Sequence, residues 1–490
     1  MTFHFICPFF GLMKKNLKLL SVFLFLLSNS LSAQNYTTKQ YNLQSTKTNI
    51  IYGTATNYLG ATDTLKLDIY KPSGNTNTKR PILILNHGGA WVGGDKSEAN
   101  IVMIAKEFAQ RGYVVASVNY RLGTHKANWA MTPFQKVVNA GFHAVYISDS
   151  AEVFRAWYRA IQDLKGAIRF MKGRHALDST CSEAVFIGGE SAGGFNSMGV
   201  AFLDLNSEKP ASCLAIADVP MPQTNLLDNY PGGTVSSAQL KRPDLGDIEG
   251  SLNINGYNSK VKGVLNLFGG LLSEGISNNW VSGNDSMVVY MTHQTCDGIV
   301  PCNAAVCLSP MSINCNLGNT PFHTKWPISY GSCALKTNFT TGTPKIKKLK
   351  VEIFNCDPIV FPLTDCIRYA NNGSYHYLVN TAVRCDSIAK FIAPITLATT
   401  QNCKSAGVKN LNKNNSLSIS PNPSNGIFSI NGLNENDKPT IEITDVLGRP
   451  LVFECMDKNQ IKLSQIESGL IFIRIKTEDG VSVKKVFVRF

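Results

Sequence analysis

Ala184-Val-Phe-Ile-Gly-Gly-Glu-Ser-Ala-Gly-Gly194 decides the fold: an unbroken apolar strand runs straight into a serine flanked by glycines and then into a helix-compatible segment. Its core, Gly189-Glu-Ser-Ala-Gly193, has the G-x-S-x-G form, which composition alone produces in roughly one chain of this length in six. The context therefore carries the reading. A nucleophilic serine on a sharp strand-to-helix turn needs small neighbours, because the backbone is strained there and both flanks pack closely. Its hydroxyl then stands above the edge of a sheet, and the Ala192 N–H sits at a helix N-terminus, where developing negative charge is favoured. Ser191 is the candidate nucleophile.

Working outward, the preceding segment Val153 to Met171 carries apolar residues at intervals of three and four, which predicts one helix face. Further back, Asn49 to Thr56 and the alternating Leu65, Leu67 and Ile69 predict edge strands, and Pro81-Ile-Leu-Ile-Leu85 predicts a strand covered on both sides. A helix over Ala99 to Gln110, closed by Gly112, leads to the apolar strand Tyr113 to Val118. Strand, helix, strand implies parallel pairing. Beyond Ser191, strands are expected at Val261 to Phe268, Met287 to Thr292 and Lys350 to Phe354. The loop-rich stretch Gln223 to Asn258 reads equally as a lid or as a surface excursion.

Directly after the strand ending at Leu85 comes Asn86-His87-Gly-Gly-Ala-Trp91. Glycines there let the backbone approach a ligand and present N–H groups to an oxyanion, so Gly88, Gly89 and Ala90, with Ala192, are candidate donors. His87 fits a structural role in such a loop. A serine nucleophile needs a base, and the base needs an acid that fixes its tautomer. Asp297, in the turn Asp297-Gly-Ile-Val-Pro301 after an apolar strand, is the candidate acid. His376 and His323 are the candidate bases. His376 is favoured because it follows the Lys350 to Phe354 strand in Asn372-Gly-Ser-Tyr-His376, whereas His323 precedes that strand among cysteines and His293 comes too early.

Taken together, His87-Gly-Gly-Ala-Trp91, Gly189-Glu-Ser-Ala-Gly193, Asp297-Gly-Ile-Val-Pro301 and His376 give the stretch from about Asn49 to Asn380 a form that resembles the α/β-hydrolases of the esterase/lipase class, hormone-sensitive-lipase-like and feruloyl/acetyl esterases among them. The resemblance implies a mostly parallel central sheet flanked by helices, a Ser191-His376-Asp297 triad working through an acyl-enzyme on an ester, and no metal or organic cofactor. The sequence departs from that pattern in a cysteine-rich insertion at about 302–361 and in the Gly373-Ser-Tyr-His376 loop. A catalytically inactive binding protein on the same scaffold, a serine peptidase and an arylformamidase-like amide hydrolase are the alternatives.

The C-terminal 416–490 reads as short strands separated by turn signals, a small β-sandwich without a cluster of catalytic residue types, after a polar linker at 403–415. Through Ile419-Ser-Pro-Asn-Pro-Ser-Asn-Gly426, Ile443-Thr-Asp-Val-Leu-Gly-Arg449, Ser468-Gly-Leu-Ile-Phe472 and Lys484-Lys-Val-Phe-Val488 it resembles the type IX secretion sorting domain of Bacteroidota. That resemblance implies the type IX machinery as a partner and passage through periplasm and outer membrane to the surface or medium. The start of the chain agrees: Lys14, Lys15 and Lys18, the apolar run Leu19 to Leu27 and Ala33 form a signal-peptide pattern over 1–33, with Met13 as the expected start. Its run is too short to span a bilayer, so no transmembrane segment is expected in the mature protein. Nine of the 13 cysteines lie between Cys296 and Cys403, a density that fits disulfides made during export. Their odd number requires that Cys181, Cys213 or Cys455 joins them or that one stays a thiol. No Cys-x-x-Cys pair or zinc-spaced cluster indicates a metal. The net charge of +13 is spread without a basic block or stripe, which argues against nucleic-acid binding.

Overall fold

Apolar runs and alternating segments assemble into one eight-stranded sheet: β1 (Lys47–Thr56), β2 (Thr62–Tyr70), β3 (Arg80–Asn86), β4 (Val114–Val118), β5 (Thr180–Glu190), β6 (Gly263–Leu267), β7 (Val288–Gln294) and β8 (Lys348–Phe354). Their spatial order is β8-β7-β6-β5-β3-β4-β2-β1. Strands β3 to β8 are parallel to one another, while β2 joins β4 antiparallel and β1 pairs with β2. The computed structural model describes residues 36–124, 150–216, 242–277, 280–281, 287–307, 312–315, 318–321, 326–341, 346, 348–356 and 375–403 of a first unit. It also describes 417–433, 439–446, 449–457, 459–464, 468–477 and 480–489 of a second. The expected leader at 1–33, His323 and Gly373 lie outside them.

Helices cover both faces of the sheet: α1 (Ala99–Ala109), α2 (Ser150–Gly173), α3 (Ala192–Phe202) and α5 (Thr381–Asn402), with α4 (Ser332–Thr340) beside β7 and β8. The period-two geometry of a strand sends successive side chains to opposite faces. Ile82 and Ile84 of β3, with Val185 and Ile187 of β5, join the core under α2 and α3. Leu83, Leu85 and Phe186 join the core under α1 and α5, with Ile104, Phe108, Ile388 and Ile392. Both faces are thus dry, which is why these strands read as continuous apolar runs. Each fully buried Leu, Ile, Val or Phe contributes about 1.5–3 kcal/mol from its removal from water.

One helix was not foreseen, and one stretch left open in the sequence is placed in part. Helix α5 was not foreseen, since its apolar residues sit among Thr, Ala and an internal Pro394 and its seam is visible only against Tyr113 and Phe186. The described half of the Gln223 to Asn258 stretch, from Arg242 on, runs along α2: Arg242 pairs with Glu152 at 2.8 Å, Gln162 Nε2 donates to the Leu245 and Asp247 carbonyls, and Arg169 pairs with Glu249 at 2.8 Å. It is a strap over a helix that flanks the sheet.

Disulfides join Cys181 to Cys403, Cys296 to Cys356 and Cys302 to Cys333. Cys403, expected as the first linker residue, therefore belongs to the first unit, held at the start of β5. Cys213 and Cys385 are buried thiols, and Cys455 is an exposed one. The described parts of the insertion form a hairpin, Ser312–Cys315 with Gly318–Pro321, and a small sheet in which Ile328–Gly331 pairs with both Ala304–Val306 and Gly270–Leu272.

The second unit holds two antiparallel sheets. One orders Ser418–Ser420, Ile427–Asn431, Gln460–Leu463 and Phe453–Cys455; the other orders Thr440–Asp445, Gly469–Thr477 and Gly480–Val488. Phe428, Ile430 and Ile461 of the first and Ile443, Ile473 and Val486 of the second share one buried core, as in a β-sandwich.

Candidate active site

Parallel pairing puts the carboxyl ends of β3, β5, β7 and β8 on one edge, and each of the four is followed by a segment that carries a candidate residue. Ser191 follows β5 with φ 55° and ψ −121°, a conformation that non-glycine residues rarely hold. Its N–H donates to the Leu267 carbonyl at 2.9 Å, and its own carbonyl accepts from Gly194 N and Phe195 N, so sheet and helix both hold the turn. The glycines are obligatory: a Cβ on Gly189 would stand 2.5 Å from the Asn86 carbonyl oxygen, and one on Gly193 2.3 Å from the same atom.

The structure brings Ser191, His376 and Asp297 into one hydrogen-bonded chain. Ser191 Oγ lies 2.7 Å from His376 Nε2, and His376 Nδ1 lies 2.8 Å from Asp297 Oδ2. A carboxylate can only accept, so Nδ1 carries the proton and Nε2 is left to accept from the serine hydroxyl. The His376 ring stands edge-on to Phe268, 4.8 Å between centroids. Gln294, the last residue of β7, donates from Nε2 to the carbonyls of Tyr375 and Tyr377 at 2.7 and 3.2 Å and so grips both sides of the histidine.

Asp297 is fully enclosed and all its acceptor positions are used. Oδ1 accepts from the Ile299 and Val300 N–H groups, each at 2.9 Å, and Oδ2 lies 3.3 Å from His293 Nε2 in addition to His376. Burial pushes this carboxyl up, but the positive charge that His376 can carry and the hydrogen bonds from His293 and His376 outweigh it and hold Asp297 below the usual aspartate range. His293, set aside from sequence as too early for a base, thus touches the acid instead. Its Nδ1 accepts from the Ser332 N–H at 3.3 Å, so its proton sits on Nε2, which donates to the Val300 carbonyl at 2.8 Å and faces Asp297.

The Gly88 to Trp91 loop lies against the nucleophile: a Cβ on Gly88 would be 3.1 Å from Ser191 Cβ. Gly89, Ala90 and Trp91 all have positive φ. The N–H groups of Gly89, Ala90 and Ala192 donate to no acceptor among the described residues. His87 is buried, donates from Nδ1 to the Gly88 carbonyl at 2.8 Å and stacks on Tyr120 at 4.5 Å; burial lowers its pKa. Tyr120 Oη donates to the carbonyls of His87 and Gly88 at 3.0 and 3.1 Å. Trp91 Nε1 donates to Asn196 Oδ1 at 2.7 Å, Asn196 Nδ2 to Asn86 Oδ1 at 3.1 Å, and Asn86 Nδ2 to the Gly188 carbonyl at 2.9 Å. This buried chain ties the loop to the nucleophile turn. Asn86 and Asn196 carried a sequence signal only as polar residues within apolar elements; His293, Gln294 and Tyr120 carried none. Among the described residues no cluster of His, Cys, Asp and Glu could hold a metal ion.

Two family models match. The BD-FAE model covers residues 67–132, which include His87 to Trp91, and the secretion system C-terminal sorting domain model covers residues 418–489. No curated protein matches the chain. Among solved structures, a truncated carbohydrate esterase from gut microbiota is similar at 16% identity and a TM-score of 0.39, over 73% of this chain and 98% of that one. Esterase 2 of the Planctomycetes species Thermogutta terrifontis is similar at 14% identity and a TM-score of 0.37, over 72% of this chain and 92% of its own. Its form phosphonylated by cyclosarin is similar at 14% identity and 0.39, over 72% and 94%. The first unit is thus similar to the BD-FAE family over residues 67–132. The second is a sorting domain, which directs the chain through type IX secretion to the cell surface or the medium.

Proposed function

We propose that the first unit is a serine carboxylic-ester hydrolase that works through an acyl-enzyme, with Ser191 as nucleophile, His376 as proton shuttle and Asp297 as its orienting acid. The observation that carries this reading is the Ser191-His376-Asp297 chain of 2.7 and 2.8 Å hydrogen bonds, assembled from the ends of three parallel strands. Ser191 Oγ attacks the ester carbonyl carbon while His376 Nε2 takes its proton. The carbonyl oxygen becomes an oxyanion, facing the amide N–H groups of Gly89, Ala90 and Ala192 and the N-terminus of α3; Gly88 brings the loop close enough. As the tetrahedral carbon collapses, its bond to the leaving oxygen breaks and His376 returns the proton to that oxygen, releasing the alcohol. Water then attacks the acyl carbon and gives its proton to His376, which passes it to Ser191 Oγ as the acyl–Oγ bond breaks and the acid leaves. Asp297 keeps its charge throughout and stabilises the imidazolium.

Hydrolysis of p-nitrophenyl acetate and labelling by a fluorophosphonate test the reading. Both are expected in the full chain, with turnover reduced about 10⁴-fold or more in Ser191→Ala. Folded, oxidised protein that neither turns over nor takes the label overturns it.

A further inference from the structure

Strand β7 ends in His293-Gln294, and both side chains are buried. Successive side chains of a strand leave opposite faces. Along β7, Val289 and Met291 join the core under α2 and α3, while Val288 and Tyr290 join the core under α1 and α5. His293 continues the first row and Gln294 the second. The two rows end on different members of the triad, and together they reach both partners of the hydrogen bond between His376 and Asp297.

On the first face, His293 Nε2 lies 3.3 Å from Asp297 Oδ2 and 2.8 Å from the carbonyl of Val300, whose own N–H binds Asp297 Oδ1. The imidazole thus ties together both ends of the turn that carries the acid, and the Ser332 N–H on its Nδ1 fixes the ring from behind. On the second face, Gln294 Nε2 holds the carbonyls of Tyr375 and Tyr377, at 2.7 and 3.2 Å, one on each side of the base. Tyr375 has a φ of 48°, a left-handed conformation that a bulky side chain adopts only where its surroundings impose it. Asp297 and His376 both stand outside the strands and helices, in segments that hold a side chain less precisely than a strand does. The end of β7 gives the two of them one common frame.

We infer that His293 and Gln294 are positioning residues of the triad, which together set the approach of His376 Nδ1 to Asp297 Oδ2. The inference rests on the serine-esterase reading above. Because each side chain holds one partner of a single hydrogen bond, losing either misaligns that bond, and losing the second as well adds little.

The experiment is a double-mutant cycle in the full-length, oxidised protein with p-nitrophenyl acetate. Its members are Gln294→Met, which keeps the length of the side chain without its amide, His293→Leu and the double variant, with His293→Gln as the conservative control whose amide nitrogen takes the place of Nε2. Rates are normalised to folded protein by near-ultraviolet circular dichroism. A shift of about 1 Å costs about 100-fold, so kcat is expected to fall about 10- to 100-fold in each single variant with KM within about twofold. The double variant should lie within about threefold of the slower single, and His293→Gln within about threefold of the natural protein. A folded Gln294→Met or His293→Leu protein with natural kcat overturns the inference and leaves the esterase reading standing, even if it melts earlier. So do losses that multiply in the double variant, and so does a His293→Gln protein no faster than His293→Leu. If His293→Leu does not fold, the kcat of Gln294→Met decides alone. Absence of Ser191-dependent hydrolysis in the natural protein overturns both readings.

Discussion

Removing the Cys296–Cys356 bridge as Cys296→Ser/Cys356→Ser should damage catalysis more than its stability cost explains. Asp297 is the next residue after Cys296, and the acid loop ends at Cys302, itself bridged to Cys333. The segment that carries the acid is thus clamped at both ends, and Ser332, next to Cys333, holds His293 against Asp297. The Cys296–Cys356 bridge spans 60 residues, and the 31-residue loop closed by Cys302–Cys333 lies inside it. Treated as loss of loop-closure entropy in the unfolded chain, a bridge of this span contributes about 4 kcal/mol, and somewhat less once the inner loop shortens the path. Urea denaturation should therefore show a loss of roughly 3–4 kcal/mol. Freed on one side, Asp297 need shift only about 1 Å for kcat/KM to fall about 100-fold. Cys181→Ser/Cys403→Ser is the control. That bridge spans 222 residues, worth about 5 kcal/mol by the same reasoning, but Cys181 stands near the start of β5, about 30 Å along the strand from Ser191. Its loss should lower stability and leave kcat/KM of the folded protein unchanged. Rates normalised to folded protein by near-ultraviolet circular dichroism would refute the reasoning if the Cys296→Ser/Cys356→Ser protein unfolded earlier yet kept the natural kcat/KM.

Glu190 is buried beside the nucleophile, one of its oxygens has no partner among the described residues, and burial followed by the nearby Glu98 carboxylate pushes it from 4.5 up to about 8. Since the folded value exceeds the unfolded one, stability is unaffected below pH 4.5 and is lost progressively as the pH rises from there to about 8; Glu190→Gln should remove a loss on the order of a few kcal/mol at pH 8, and equal pH dependence of the two urea midpoints would contradict this. Tyr120→Phe removes the hydroxyl that holds the His87 and Gly88 carbonyls, so stability should fall by about 0.5–1.5 kcal/mol and kcat by about tenfold with KM little changed. Steady-state kinetics with an unaltered kcat would show that the loop needs no such support. A chain ended after Cys403 keeps both cores of the sheet and the Cys181–Cys403 bridge and should retain kcat/KM within about twofold, which activity and melting measurements on the truncated protein check.

Much of the architecture was legible in the sequence because its signals are local. Strands β3, β4, β5 and β7 announce themselves as apolar runs, α2 by its three-and-four spacing, and the tail by its turn residues. Ser191 was legible for the same reason: the strand, the small residues and the helix start that its strained turn requires are adjacent in the chain. Helix α5 was not, because its apolar stripe is thin and acquires meaning only against the sheet face it covers.

Residue types and local periodicity alone determined a doubly covered sheet, a serine at the end of one central strand, glycines at the end of its neighbour, an acidic turn and a histidine far downstream, and a separate strand-rich tail. Which of these side chains meet was a matter for the tertiary structure. His376 reaches Asp297 across 79 positions and Ser191 across 185. His293, only four residues before Asp297, proved to be a neighbour of the acid, 3.3 Å from its Oδ2. The pairing of Cys296 with Cys356, the grip of Gln294 on both sides of His376, and the packing of Trp326 on Trp91 are likewise contacts between remote segments. Periodicity reports on the turn or strand a residue belongs to; the contacts that set charge and position arise only when parallel strands bring their carboxyl ends to one edge.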